Sequence, residues 1–439
     1  MTISGFPEWL PETARVEQAW IERLARLFRS HGFDPIETAS VERLDDLRSK
    51  GEIDKEIYAV ARLGAEGPPM LALHYDLTVP FARYVAENAT ELIFPFKRFQ
   101  IQKAWRGERP QRGRFREFYQ ADIDIIDVDE LPGFYDAEVL ALGVSGLLAL
   151  DVVDFEVGVS DRRVYFSYLE CLGVEDVPGA LRIIDKLDKI GTEGVTAGLH
   201  EAGLSPDVAT ACLAPARYRV PIEEFDLEAA LASFATTDEA VRTAIGDLES
   251  YLRTVRGLVD ASALQHIVVD FGFVRGLEYY TGVIFEGRIR GDRDYPSICS
   301  GGRYGDLASG FAKRKKQKLP GVGFSIGVSR ILAYMAESCP ERLEGASASL
   351  GCVLIPFDES AERLLDLRDR LISAGLLVRS LSAGSLKKGL RLADRAKADF
   401  LVFLIDGRPT IKFLGDGEQL SAAEDLEPLV AAAVERARH

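Results

Sequence analysis

Cysteine is scarce in this chain of 439 residues: Cys171, Cys212, Cys299, Cys339 and Cys352 are the whole set, odd in number and nowhere spaced as CxxC. That argues against a disulfide framework or a zinc site, and it points to a reducing cytoplasm. Long apolar runs are missing too. The longest, Val139 to Leu150, is about half of what a bilayer-spanning helix requires. No basic region leads into an apolar one at the N-terminus, so the expectation is a soluble, unexported protein with no membrane partner. Basic charge is in deficit, with 53 Lys and Arg against 69 Asp and Glu and a formal charge of −16, so the overall balance does not announce nucleic acid. Also absent is any phosphate-loop spacing: neither Gly301/Gly302 nor Gly321/Gly323 fits a Walker loop or a dinucleotide fingerprint. Those glycines predict close backbone packing beneath a pocket instead.

What is present is local concentration of charge. Residues 97 to 117 hold eight Lys or Arg against two acids, Glu108 and Glu117, and KRKKQK at 313 to 318 is a second basic run. From Leu350 onward thirteen basic residues face fourteen acidic ones, so the acidity lies in the first three quarters and the C-terminal part is comparatively free to approach RNA. The length predicts two to four domains.

The densest stretch is Lys97 to Asp124, KRFQIQKAWRGERPQRGRFREFYQADID, which reads as two strands around the loop GERPQRG. Alternation puts Gln100, Gln102 and Arg106 on one face of the first run and Phe99, Ile101 and Trp105 on the other. In the second run Arg114, Arg116, Phe118, Gln120, Asp122 and Asp124 share a face. Arginine forks grip phosphate and carboxylate bidentately, so such a face suits a zwitterionic or phosphorylated ligand. A solvated hairpin laced with salt bridges is the plainer alternative.

Around this hairpin the spacing predicts a helix over 11–29, with Val16, Trp20, Leu24, Leu27 and Phe28 in its apolar stripe, and another opening near Pro80 beside Asp76 and Thr78. From 176 to 260 the periodicity is helical throughout and reads as an inserted module. Residues 341–349 are small and polar, a linker. Beyond it, strands and helices alternate over 350–439, which predicts a small α/β domain with a largely parallel sheet.

Four segments together carry a resemblance. WRGERP with GRFREFYQADID is similar to motif 2 of class II aminoacyl-tRNA synthetases, in detail to that of histidyl-tRNA synthetases. HYDLTVPFARYV (74–85) resembles the region after motif 1, and VRGLEYYTGVIFEG (274–287) resembles the histidine-binding stretch of that family. SGGRYGDL (300–307) and PGVGFSIGVSRIL (320–332) resemble its glycine-rich segment and motif 3. The resemblance implies an α/β fold of the α+β kind: a class II antiparallel sheet flanked by helices over 1–340, interrupted by the 176–260 insertion and followed by an anticodon-binding-like domain at 350–439.

It also implies an enzyme, a histidine–tRNA ligase of the cytoplasm working as a homodimer, with L-histidine, ATP and tRNA(His) as partners, Mg2+ as companion of ATP, and no metal site made by protein alone. Carried over by motif, Arg106 would clamp the histidine carboxylate and the α-phosphate, and Arg275 would contact that phosphate at the reacting centre. Glu108 would sit beside the adenine amino group, Arg114 would reach the terminal phosphates, and Phe118 and Arg330 would cover the two faces of the base. Asp76, Leu77 and Thr78 would hold the histidine ammonium end, Gln120 would help fix the amino acid, and Asp124, Tyr279 and Tyr280 would line the imidazole pocket. The chain departs from the pattern twice. His74 stands where many members carry Arg, and Ser329 stands where Glu usually precedes the motif 3 arginine, which removes an ion partner from Arg330. Two other readings stay open: a histidine-binding regulatory subunit of ATP phosphoribosyltransferase, and an enzyme that adenylates histidine for an acceptor other than tRNA.

Overall fold

The 97–124 hairpin supplies two neighbouring strands of a nine-stranded sheet in the computed structural model, which describes residues 3–48, 56–151, 154–273, 280–292, 294–305, 311, 318–344, 350–354, 361–422 and 425–437. The strands in chain order are β1 (Asp34–Pro35), β2 (Phe96–Trp105), β3 (Glu117–Ile126), β4 (Phe155–Asp161), β5 (Arg219–Pro221), β6 (Ile267–Asp270), β7 (Tyr280–Ile289), β8 (Cys299–Tyr304) and β9 (Gly321–Ile326). In space they run β1-β2-β3-β9-β8-β7-β4-β6-β5. Only β1–β2 and β4–β6 pair parallel; the central run from β2 to β4 is antiparallel throughout. Register puts Trp105 opposite Glu117 and Arg98 opposite Asp124. Arg114, expected on the second strand, lies instead in the turn, paired with Gln111.

Helices cover the sheet. Helix α1 (Pro11–Ser30) buries Val16, Trp20, Leu24 and Phe28 of the stripe that the spacing predicts, while Leu27 is only partly buried. Helix α2 (Thr78–Glu87) opens just after Asp76 and is tied to strand Val41–Arg43 by a fork in which Arg83 Nε and Nη2 donate to Glu42 at 2.8 and 2.7 Å. Helix α3 (Phe134–Ala149) holds most of the apolar run and buries Val139, Leu140, Val144 and Leu147. Burying each such side chain is worth about 1.5–3 kcal/mol, so the run is spent on a core. No described helix is long and apolar enough to cross a membrane.

Within 176–260 the helices Val177–Ile184, Leu187–Glu201, Pro206–Cys212 and Leu227–Phe234 follow the expected periodicity. The same stretch also supplies edge strand β5 and helix α4 (Glu239–Leu258), which packs on α3.

The chain divides into two compact units, Met1–Glu8 with Trp20–Glu337, and Trp9–Ala19 with Ser338–His439. Residues 341–344 of the expected linker belong to the helix Pro340–Glu344, and 345–349 lie outside the described residues. The second unit holds a five-stranded sheet in the order Leu377–Leu381, Leu350–Leu354, Phe400–Ile405, Arg408–Phe413, Gln419–Ser421. Phe400 and Val402 enter one apolar cluster and Leu401 and Phe403 another, so this continuous apolar strand is buried on both faces. The sheet is mixed, with two parallel and two antiparallel pairings, where a largely parallel one was expected. The cause is Asp406-Gly407: both have positive φ, 49° and 72°, the signature of a two-residue hairpin turn that can join only antiparallel strands.

Candidate active site

A cavity of about 630 Å³ opens over the β2–β3–β9–β8–β7 portion of the sheet. Ten of the expected site residues line it: Asp76, Thr78, Arg106, Glu108, Arg114, Phe118, Gln120, Asp124, Tyr280 and Arg330. They come from four distant stretches of chain, and antiparallel pairing of the strands brings them together. Leu77 does not join them, because its side chain is fully buried in the core. Arg275 and Tyr279 lie outside the described residues.

One half of the cavity is cationic. Arg106, just past the end of β2, is held by Nε donating to the Tyr75 carbonyl at 3.1 Å, with its guanidinium 5.2 Å from the centre of the Phe118 ring. Arg114 donates to Glu108 at 3.1 Å from the turn. Arg330, on helix α5 (Val328–Ser338), donates through Nε to the Gly113 carbonyl at 2.8 Å and through Nη1 to the Ser297 carbonyl. Burial first, then the nearby charges of Arg106 and Arg114, bring the Arg330 pKa down from the ordinary arginine range to about 10. A buried guanidinium whose charge is disfavoured by two neighbouring ones makes a site suited to an anion of several charges. Tyr295 braces the arrangement: its hydroxyl donates to the Arg330 carbonyl at 2.7 Å, and Gly113 leaves room for its ring.

The other half is acidic and amide-rich. Asp76 Oδ1 accepts the backbone N–H of Thr78 and Val79, both at 3.1 Å, which anchors the first turn of α2. Gln120 donates to Ser325 at 2.7 Å. Asp124 accepts from the Tyr304 hydroxyl at 2.9 Å and pairs with Arg98 at 2.6 Å. The glycines of the last segment are explained here. A Cβ on Gly323 would sit 2.1 Å from Asp124 Oδ1, and one on Gly321 would sit 2.4 Å from the Tyr304 ring. Only a residue without a side chain lets β9 pass beneath those groups.

Several functional neighbours escape a reading by strand face alone. Tyr304 and Ser325 hold the predicted Asp124 and Gln120, and Arg98 stands behind Asp124. Glu56 also belongs to this neighbourhood. Its backbone carbonyl accepts from Gly107, and its carboxyl is raised by burial and by Glu108, with Arg106 and Arg114 opposing. Gln100 and Gln102, expected on a ligand face, form a buried network with Thr38 instead. The two departures resolve structurally. His74 is buried away from the cavity with its ring nitrogens against the carbonyls of Ala39 and Lys103. Ser329 Oγ accepts the Tyr119 backbone N–H at 2.9 Å, while backbone carbonyls, not an acid, orient Arg330.

An anionic ligand at one end, a small zwitterion at the other and aromatic cover between them are what the cavity can hold. Among the described residues no three His, Cys, Asp or Glu side chains lie close enough to hold a metal ion.

Compared with known proteins, residues 5–331 match the family described as Histidyl-tRNA synthetase. The chain is 40% identical to the histidine–tRNA ligase of Thermobifida fusca, covering 96% of both chains. It is also 40% identical to that of Micrococcus luteus, covering 98% of both. The crystal structure of histidyl-tRNA synthetase from Nostoc sp. PCC 7120 superposes with a TM-score of 0.84 at 29% identity over 99% of each chain. A protein described as an ATP phosphoribosyltransferase regulatory subunit/histidyl-tRNA synthetase from Bacillus halodurans gives a TM-score of 0.70 at 20% identity, over 90% of this chain and 96% of its own, a likeness of fold alone.

Proposed function

This chain belongs to the histidyl-tRNA synthetase family, and from that premise we propose that it is a histidine–tRNA ligase, joining L-histidine to tRNA(His) at the cost of ATP. Its large sheet flanked by helices is the class II synthetase fold. The observation that carries the reading is the cavity itself, where Arg106, Arg114 and Arg330 stand at one end and Asp76, Gln120 and Asp124 at the other.

The first step joins the histidine carboxylate to the α-phosphorus of ATP and releases pyrophosphate. No general base is needed, since that carboxylate is already ionised at neutral pH. The work is alignment of two anions and stabilisation of the charge that grows on phosphorus, which positioned guanidiniums perform. Arg106 takes the histidine carboxylate and the α-phosphate, and Arg275, by the family motif, takes the same phosphate. Arg114 holds the terminal phosphates, Glu108 accepts from the adenine amino group, and Phe118 and Arg330 enclose the base. Mg2+ arrives as the companion of ATP's phosphates. At the other end Asp76, with Thr78, receives the ammonium group, Gln120 the amino acid, and Asp124 with Tyr279 and Tyr280 the imidazole. In the second step a hydroxyl at the 3′ end of tRNA attacks the activated carbonyl and AMP leaves.

The domain roles belong to the same proposal: a catalytic portion over 1–340 with the helical stretch 176–260 inside it, a connection at 341–349, and an anticodon-reading portion at 350–439. In that last portion Lys387, Lys388, Arg391 and Arg395 are exposed on the helix Leu386–Arg395 and suit RNA phosphates. The working form we propose is a homodimer in the cytoplasm.

The deciding experiment compares histidine-dependent pyrophosphate exchange with transfer of labelled histidine to tRNA(His). Both activities are expected. Histidine binding without exchange would select a regulatory paralogue, and exchange without transfer would select a different acceptor.

A further inference from the structure

Asp124 is held from behind by a residue that reaches no ligand. Arg98 faces it directly across the hairpin and is fully buried, with Nη2 2.6 Å from Asp124 Oδ2. Its guanidinium lies 4.2 Å from the centre of the Phe81 ring, from helix α2, and Nη1 donates to Gln100 at 3.4 Å. On the far side of the carboxylate Tyr304 donates its hydroxyl proton to Oδ1 at 2.9 Å. The other groups around Asp124 are the buried Asp122 on its own strand, Gln120 with Ser325 of β9, the bare backbone of Gly323 on the same strand, and Asp76, which also lines the cavity.

A guanidinium does not give up its proton in a protein, so a fully buried one fixes the ionisation of whatever acid it pairs with. Asp124, 3% exposed, is thereby an acceptor only. Tyr304 has committed its proton to Asp124, so what it has left to offer is a lone pair. Asp124 thus meets the cavity as an acceptor beside the amide of Gln120.

We propose that Arg98 is the specificity-setting positioning residue of this site: by keeping Asp124 an acceptor, it makes the pocket take a side chain through a ring N–H and refuse one that presents an acceptor or no polar atom there. This rests on the reading that the cavity binds histidine. A ring without the N–H brings no donor to a buried carboxylate whose other contacts are Arg98 and Tyr304, and so forfeits a charge-assisted hydrogen bond that histidine makes. Without Arg98, burial favours the protonated carboxyl, which turns its donor toward the ring.

The test is Arg98→Met, read by KM for histidine and KM for ATP in pyrophosphate exchange, each as a ratio to wild type across pH 6.5 to 9. Expected is a rise of about 10- to 100-fold in KM for histidine at the acid end, shrinking as pH rises and Asp124 ionises, with KM for ATP within about threefold. Equal movement of both constants, or a histidine ratio flat with pH, overturns the proposal. Should Arg98→Met not fold, Arg98→Lys keeps the charge but loses the fork. It should raise KM for histidine about three- to tenfold without pH drift, and an unchanged KM for histidine would refute the assignment. Wild-type protein lacking histidine-dependent exchange would defeat the function reading itself, whereas normal wild-type exchange with indifferent variants defeats only the role of Arg98.

Discussion

Replacing Arg330 by methionine separates what a site residue costs the empty protein from what it does for the ligand. The fall of its pKa from the ordinary arginine range to about 10 corresponds, at 1.36 kcal/mol per pH unit, to about 3 kcal/mol by which its surroundings disfavour the charged form. A base whose folded pKa is depressed is charged in both states at neutral pH, so this cost is present in full there and fades only as pH climbs above about 10 toward the ordinary arginine range. Against it stand two hydrogen bonds to the carbonyls of Gly113 and Ser297, each worth about 1.5–3 kcal/mol when the donor is charged, or about 3–6 kcal/mol together. The net contribution of Arg330 to the ligand-free fold therefore lies between about zero and 3 kcal/mol. Arg330→Met should leave the ligand-free melting temperature within about 6 °C of wild type, although removing an arginine from a buried ion pair ordinarily costs about 3–5 kcal/mol. In pyrophosphate exchange the same variant should lose a charge-assisted contact of about 1.5–3 kcal/mol, or a rise of roughly 10- to 150-fold in KM for ATP. Calorimetry and exchange kinetics on one preparation decide it. A melting temperature lower by 8 °C or more, or an unchanged KM for ATP, would show that Arg330 is a structural tie and not a nucleotide contact.

Gly323→Ala should raise KM for histidine at least tenfold and lower the melting temperature by a few degrees, since the added carbon meets Asp124 Oδ1 at 2.1 Å and overpacking costs about 1–3 kcal/mol; wild-type kinetics would mean that β9 shifts freely. Asp136, whose carboxyl is pushed up to about 6 by burial despite its pairing with Arg303, binds its proton more tightly in the folded state, so its contribution favours folding below about pH 4 and is lost as pH rises toward 6. Asp136→Asn should accordingly gain on wild type by up to about 3 kcal/mol between pH 4 and 7, and a constant difference in denaturant midpoints would refute this. Arg275→Ala should abolish exchange while sparing histidine binding by calorimetric titration; retained exchange would remove Arg275 from the reacting centre.

What could be read from the sequence, and what could not, divides by the distance over which register must be known. Alternation within the hairpin is local, so the cavity-facing Phe118, Gln120 and Asp124 follow from residue type and spacing alone. Arg98 was within reach by one further step: Trp105 opposite Glu117 implies, counting outward, Arg98 opposite Asp124, and opposite charges across a hairpin pair as a rule. Reading each strand by its faces, without pairing the strands, hides that partner. Tyr304 needed more, because it reaches Asp124 only through the order β3–β9–β8, a contact across 180 residues that no local pattern encodes. Its trace in the sequence is indirect, in the glycines at 321 and 323, whose missing side chains mark where two larger groups must pass. The second unit shows the opposite case. Asp406-Gly407 is a local turn signal strong enough to fix antiparallel pairing, and counting alternation of strands and helices overlooks it. Close-approach glycines and two-residue turns are thus constraints on pairing, and reading them first would have placed the buried Arg98–Asp124–Tyr304 chain ahead of any ligand contact, since a site acid can be assigned a role only once the charge behind it is known.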